Sequence, residues 1–469
     1  MHKTVLWFRR IAAAAVLAGF AALFAGCIAR PLVVLAKWQF APAILAGSTV
    51  AIVTTTAATL LFGRIYCGAC CPLGILQDVA FMLRRHKSQG SKSKARTVVR
   101  YVVLAAFLAI GFLGFGFSWI EPYGLFGRIA TGLRAALALG LAIFALAAWR
   151  GRVWCNWVCP VGTFLGGLSR RAPFRLKIDS SKCVGCKACE RACRASAIAI
   201  DGKGGEIDAT LCVQCRDCTV LCPKGAIGSA LKAPSEPAGK PDGRDGSESG
   251  GESGDGLSRR SFLAGTAVAG AALAADAAEE KVFDGGFADV SDPGIDARNA
   301  SLKPAGSHSI GNFRTKCVGC QLCVKACPNK VLRPSMRARD FMQPEMAFDK
   351  SFCTIDCTKC GQVCPAGAIE AIPSSMKPHI HIGEAVWHKD RCLAAAEGVN
   401  CTACERHCPV GAIMRVEVEG GAKIPVVDAA KCIGCGACEH VCPARPLPAM
   451  TVKAHERHRE VWPAGPGHA

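Results

Sequence analysis

The sequence predicts a multi-domain protein: an α-helical membrane bundle of four spans, or five if a later apolar run is an anchor, followed by two small α+β domains wrapped around cysteines. Three observations carry this. Four apolar stretches fill the N-terminal third. The 30 cysteines of the 469-residue chain fall in tight groups. Between the two cysteine-rich regions lies a stretch of Gly, Ser, Pro, Asp and Glu with nothing apolar to bury, the composition of a flexible linker. The expected domains are 1–172 (membrane), 173–232 (first cysteine block), 233–257 (linker), 258–278 (a signal or anchor) and 279–469 (second cysteine block).

The apolar stretches cover 11–29, 42–62, 98–119 and 131–149. Each is near the ~20 residues that cross a bilayer as a helix. Between the second and third lie Arg64, Arg84, Arg85, Lys87, Lys92, Lys94, Arg96 and Arg100, against one acid, Asp78. Lys3, Arg9 and Arg10 precede the first stretch, and Arg150 and Arg152 follow the fourth. The positive-inside rule puts these ends in the cytoplasm of a bacterial inner membrane. Leu23-Phe24-Ala25-Gly26-Cys27 resembles a lipoprotein cleavage box, with a plain thiol at the outer end of the first helix as the simpler reading.

Disulfide frameworks belong to short secreted chains, so tight thiol groups in a chain this long point to metal ligation. Cys183, Cys186, Cys189, Cys193 and Cys212, Cys215, Cys218, Cys222 both have the spacing C-x2-C-x2-C-x3-C. This is the bacterial two-cluster ferredoxin pattern, in which the fourth cysteine of each run ligates the other cluster. Cys183, Cys186, Cys189 and Cys222 should hold one [4Fe–4S] cluster, and Cys212, Cys215, Cys218 and Cys193 its partner. Zinc seldom uses such interleaved spacing.

Four more runs follow. Cys317, Cys320, Cys323, Cys327 and Cys432, Cys435, Cys438, Cys442 keep the regular spacing. Cys353, Cys357, Cys360, Cys364 and Cys392, Cys401, Cys404, Cys408 widen the first gap. All end in Cys-Pro. Because the modified runs lie between the regular ones, a nested pairing is expected, first with fourth and second with third; sequential pairing is the alternative. Both cysteine domains are therefore expected to be bacterial-ferredoxin-like, holding six [4Fe–4S] clusters in all. The formal charge of +20 then shrinks: six clusters at about −2 each leave about +8. With few Tyr and no basic–aromatic interleaving, no nucleic-acid partner is expected.

Two further groups, Cys67-Gly-Ala-Cys70-Cys71-Pro72 and Cys155-Asn-Trp-Val-Cys159-Pro160, read C-x3-C-P-x-G at cytoplasmic span ends. Cys67, Cys71, Cys155 and Cys159 could converge on one metal or redox site, a seventh cluster, or be free thiols in helix-ending turns. The spans carry no His and the chain no C-x-x-C-H, so no haem links the two sides. A quinone is then the natural carrier in the lipid. Trp38, Gln39, Glu121 and Tyr123 lie near outer span ends as candidates for a quinol site, Glu121 as its base. The plainer reading is an aromatic belt with one solvated acid.

The paired C-x3-C-P motifs on a four-span unit, followed by a two-cluster block, resemble the NapH-type membrane quinol dehydrogenase component. The four-run C-terminal domain resembles the NapG/MauM-type ferredoxin subunit, so the chain looks like a fusion of two usually separate partners. Ahead of that domain, Ser258-Arg259-Arg260-Ser261-Phe262-Leu263 resembles a twin-arginine export signal. The resemblance implies an electron-transfer component of a quinol dehydrogenase system, passing electrons from the quinol pool to a periplasmic reductase or multihaem cytochrome. Its first ferredoxin domain would be cytoplasmic and its four-cluster domain periplasmic. A redox maturation factor for another metalloenzyme, or a ferredoxin-driven quinone reductase, are the alternative functions.

Overall fold

The computed structural model describes residues 2–84, 94–112, 120–132, 134–202, 204–229, 283–284, 288–289, 294, 296, 298, 300–418, 421 and 423–461. The linker and the twin-arginine segment lie outside the described residues.

The helical unit is built from two similar halves. The first comprises α1 (His2–Ala25), α2 (Arg30–Lys37), α3 (Phe40–Leu45), α4 (Thr49–Phe62), α5 (Ile65–Ala69) and α6 (Pro72–Arg84). The second comprises α7 (Lys94–Phe112), α8 (Pro122–Ala130), α9 (Arg134–Arg150), α10 (Val153–Trp157) and α11 (Pro160–Ser169). Thr4–Ala25 is long and apolar enough to cross a membrane. Thr49–Phe62, Pro72–Leu83 and Ala136–Arg150 are apolar but shorter. The expected second span, 42–62, is not one helix. It breaks at Ala46, Gly47 and Ser48, where Gly47 adopts φ +68°, a conformation that costs glycine little. That leaves α4 with 14 residues, a rise of about 21 Å. The expected fourth span, 131–149, starts later, because Pro122 begins a separate helix that ends at Ala130.

Several arginines expected at the membrane rim are inside the protein. Arg64, Arg100 and Arg152 are buried. They are used to hold the first cysteine block rather than to face the cytoplasm, which weakens their value as orientation signals.

That block is closed by β1 (Leu176–Ile178) pairing antiparallel with β4 (Ile227–Ser229), and β2 (Ile198–Asp201) with β3 (Gly204–Ile207). It docks at the end of α4 and α9. Arg64 donates to the Thr210 carbonyl at 2.8 Å, Asn156 to Ala195 at 2.7 Å, and the Arg152 amide to Arg194 at 2.8 Å. Gly68 lies so close that an added Cβ would sit 2.6 Å from the Val213 carbonyl.

In the second block, β5 (Phe283–Asp284) pairs with β6 (Ala288–Asp289), and β7 (Leu332–Pro334) with β8 (Pro344–Met346). There too β9 (Ile380–Trp387) pairs with β12 (Met450–Glu460), and β10 (Ile413–Glu417) with β11 (Lys423–Val427). The basic stretch from Lys453 continues strand β12 and is largely exposed or half-buried. This block docks at the opposite end of α4: Gly367 packs on Ala46 just before the helix, while Gly63, just after it, packs on Gln214 of the first block. On α8, Gly124 and Gly127 bring the helix backbone against the carbonyls of Val318 and Cys320.

Candidate metal centres

Each regular run folds the same way. The residues on either side of its second cysteine are left-handed: Gly185 and Lys187, Gln214 and Arg216, Gly319 and Gln321, Gly434 and Gly436. Two left-handed residues around one cysteine curl the loop, and a helical turn then presents the third cysteine. In the two modified runs Thr358 and Thr402 take negative φ instead, so the altered spacing is accommodated without that curl.

The first block gathers its cysteines as the spacing predicts. Cys183, Cys186, Cys189 and Cys222 line one cavity. Cys218 lies within electrostatic reach of Cys215, Cys212 and Cys193. In the second block the nested pairing is overturned. Cys364 joins Cys317, Cys320 and Cys323, while Cys353 and Cys360 lie with Cys357 and Cys327. Cys408 joins Cys432, Cys435 and Cys438, and Cys442 clusters with Cys392 and Cys401. The pairing is sequential. Neighbouring runs fold onto each other as local two-cluster units, and β9 lies between the two units.

The donor sets fit iron–sulfur cubes. Backbone amides point at the sulfurs: Ala197 at Cys193 (3.3 Å), Ala226 at Cys222 (3.2 Å), Gly319 at Cys317 (3.4 Å), Ala412 at Cys408 (3.2 Å) and Ala449 at Cys442 (3.2 Å). Burial pushes the Cys212 and Cys317 thiols up to about 12 and Cys435 to about 11. Left alone such thiols stay protonated; binding a metal core is what removes the proton. Among the described residues no three His, Cys, Asp or Glu side chains converge closely enough to share one metal ion. A cube, whose four irons are each held by a separate thiolate, needs no such convergence. When bound, the clusters supply one-electron storage, and the amides and nearby charges set its potential.

Within each block the groups also neighbour one another. Cys218 is near Cys189, Cys323 near Cys360, Cys435 near Cys353 and Cys438 near Cys404. The Cys353 amide bonds the Cys435 carbonyl at 3.0 Å, joining the two halves of the second block.

Between the blocks lie the C-x3-C-P cysteines. Cys67, Cys71, Cys155 and Cys159 are buried, while Cys70 is exposed. Cys71 lies within electrostatic reach of Cys155, Cys67 and Cys159. The two halves cross over. Arg64 of the first packs against Gly162 of the second, and Arg152 of the second against Gly74 of the first. Those glycines are required: a Cβ would stand 2.6 Å from the Cys67 carbonyl at Gly74 and 2.9 Å from that of Cys155 at Gly162.

Of the quinol candidates, Trp38 is 46 % exposed on the outside. Glu121 is not the solvated acid expected. It is buried and caps α8, accepting from the Tyr123 amide at 3.0 Å and from the Gly124 amide. Gln39 is buried too, accepting from Tyr66 Oη at 2.9 Å and donating to the Cys70 carbonyl at 3.3 Å. Tyr123 lies against Cys320 and Cys364, with Phe20 and Phe24 against its ring. Sequence reasoning missed Tyr66, which sits between Cys71 and Glu121, and Asp78 as a charge hub. The lone acid among so many basic residues was the signal for the latter.

The 4Fe-4S dicluster domain family matches residues 182–226, 316–368 and 399–445, and the last two segments agree with sequential pairing. The 4Fe-4S binding domain family matches 42–89 and 131–179, each with one C-x3-C-P motif. The chain is 33 % identical over 140 residues to the methylamine utilization ferredoxin-type protein MauN of Methylobacillus flagellatus, covering 29 % of this chain and 49 % of the relative. It is 32 % identical over 145 residues to the ferredoxin-type protein NapH of Haemophilus influenzae, covering 29 % and 48 %. Over 152 residues it is 32 % identical to NapH of Escherichia coli, covering 31 % and 52 %. The chain spans about half the length of these curated relatives. Its homologues are NapH and MauN ferredoxin-type proteins, and with them it shares the 4Fe-4S domains of iron–sulfur electron transfer.

Proposed function

We propose that this chain is a membrane-bound relay carrying electrons from quinol through six [4Fe–4S] clusters to a periplasmic reductase or other redox partner. The single observation that carries the reading is that six cysteine quartets, neighbouring one another within each block, lie in two blocks at opposite ends of an apolar helical unit. Large apolar side chains such as Trp7, Phe8, Ile11, Val53 and Leu141 cover the outside of that unit, as a lipid-facing surface requires. One helix long enough to span supports the same placement. The first block is then cytoplasmic and the second periplasmic, joined in one chain as a NapH-like part fused to a NapG-like part. Quinol oxidised at the helical unit would give two protons to water and its two electrons, one at a time, to the clusters. The chain's thiolates hold the one-electron acceptors, and its amide donors and Lys377 tune them.

The test is quinol addition to membrane vesicles containing the full chain. Reduction of the clusters, seen by EPR and by loss of visible absorbance, is expected. Clusters that dithionite reduces and quinol leaves oxidised would refute quinol as the donor.

A further inference from the structure

We propose that Cys67, Cys71, Cys155 and Cys159 together hold one further iron–sulfur cluster, which connects the two cysteine-rich blocks through the protein itself. The inference rests on the reading that the other six quartets hold clusters, and it removes the need for a diffusing carrier between the blocks.

Four observations support it. First, the two halves of the helical unit each deliver a pair of buried thiols to one place, and Cys70, which the motif does not require, stays outside it.

Second, donors surround the sulfurs. Cys71 and Cys159 stand at the N-termini of α6 and α11 and accept from the amides of Gly74 and Gly162, the latter at 3.3 Å. Gln77 Nε2 lies 3.1 Å from Cys155 Sγ and Arg64 Nη2 3.9 Å from Cys67 Sγ. Ligand sulfurs of a cluster carry negative charge, and helix N-termini favour it.

Third, the site holds a buried guanidinium, Arg64, that makes no ion pair among the described residues. Arg64 is fully buried, its Nε has no partner, and its bonds go to a carbonyl and a sulfur. Arg152 is equally buried, and its Nη2 is unpartnered. Asp78, which pairs with Arg152 at 2.6 Å, is shared with Arg9 and Arg194. A buried guanidinium without a counter-charge is strongly unfavourable. Four neutral thiols supply none; a cluster on four thiolates supplies about −2.

Fourth, the place is right. Arg64 also lies beside Cys212 of the first block. On the other side Tyr66, Glu121 and Tyr123 lead from Cys71 to Cys320 of the second. An electron arriving from the Cys212 group oxidises that donor by one, reduces the central cluster by one, and passes on to the Cys320 group. No bond is made or broken and no proton is needed.

The experiment is iron and sulfide quantification with Mössbauer spectroscopy on the anaerobically purified full chain, wild type against Cys67→Ser/Cys155→Ser and against Cys70→Ser. Six cubes alone give about 24 iron atoms per chain. The expected wild-type count is higher, by about two for a two-iron cluster or about four for a cube. The double variant loses that increment and keeps the rest, and Cys70→Ser keeps it all. A wild-type count of about 24 overturns the inference while leaving the relay standing, however the variants behave. Wild-type protein with zinc or no metal overturns the relay itself. In quinone-free liposomes, an impermeant reductant on the first block's side should reduce the second block's clusters in wild type. It should fail to do so in the double variant, and equal reduction in both would refute the through-protein route.

Discussion

Replacing Asp78 with Asn should detach the first cysteine block from the helical unit. Asp78 sits on α6, and its carboxylate meets Arg152 at 2.6 Å, Arg194 of the block at 3.0 Å and Arg9 of α1 at 3.7 Å. The side chains of Arg152, Arg194 and Asp78 are 0 %, 5 % and 8 % exposed, so water screens them little. At an effective dielectric near 20, unit charges ~4 Å apart interact by about 4 kcal/mol. Desolvation offsets much of that in the intact cluster. Removing the one anion leaves the cations buried without it, at a cost of about 3–5 kcal/mol. Arg194 keeps Asp217, which places the expected loss at the lower end. The Arg152 amide, bonded to the Arg194 carbonyl across the interface, reports the docking. Hydrogen exchange of a peptide covering 151–157 should accelerate roughly 100- to 1,000-fold in Asp78→Asn. Adding Arg152→Leu should recover part of the protection, because both partners of the tightest pair are then gone. Exchange within roughly fivefold of wild type in the single variant would show that the hub does not hold the interface.

Three other outcomes follow from particular contacts. Gly127→Ala puts a methyl into the Cys320 carbonyl and should weaken docking of the second block by about 1–3 kcal/mol; a protease site placed within 233–257 should then release that block from membranes faster than in wild type. Lys377 Nζ lies 3.2 Å from Cys353 Sγ and also bonds the Thr354 and Cys357 carbonyls. A cation favours the reduced, more negative cluster, so Lys377→Met should lower one potential by on the order of 50–100 mV in an EPR-monitored titration, and an unchanged potential would exclude the charge effect. Burial, helped by His308 and His455, holds His458 down to about 4 from 6.5, and its ring nitrogens lack partners. The folded state therefore resists a proton that the unfolded chain accepts: stability is full above about 6.5 and falls as pH drops toward about 4, by on the order of 1–3 kcal/mol. His458→Phe should flatten that slope in urea titrations of the second block.

The cysteine runs were legible because a cluster fixes ligand spacing along the chain, and left-handed residues beside the second cysteine of each regular run follow from the same need. Which runs pair was less legible. Spacing says nothing about which neighbour folds against which, and order in the chain suggested nesting where local folding produced adjacent pairs. The helical unit was misread in two ways. Hydropathy cannot see that Gly47 interrupts an apolar stretch. Nor can it see that Arg64 and Arg152, three residues before each C-x3-C-P, are buried inside the fold rather than surface charges. Glu121 looked like a solvated acid because sequence does not show the amides of Tyr123 and Gly124 waiting for a cap.

The 14 residues of α4 have a consequence for the surrounding lipid. Its ends are fixed by Ala46 against one block and Gly63 against the other. On the topology proposed above, with the blocks on opposite faces of a bilayer, α4 separates them by about 21 Å, against a hydrocarbon core of ~30 Å. On that topology lipid beside α4 is compressed, although α1 with its 24 residues is long enough to span, and compression of this kind sorts proteins toward thinner membranes. The same shortness keeps the two cysteine-rich blocks near one another.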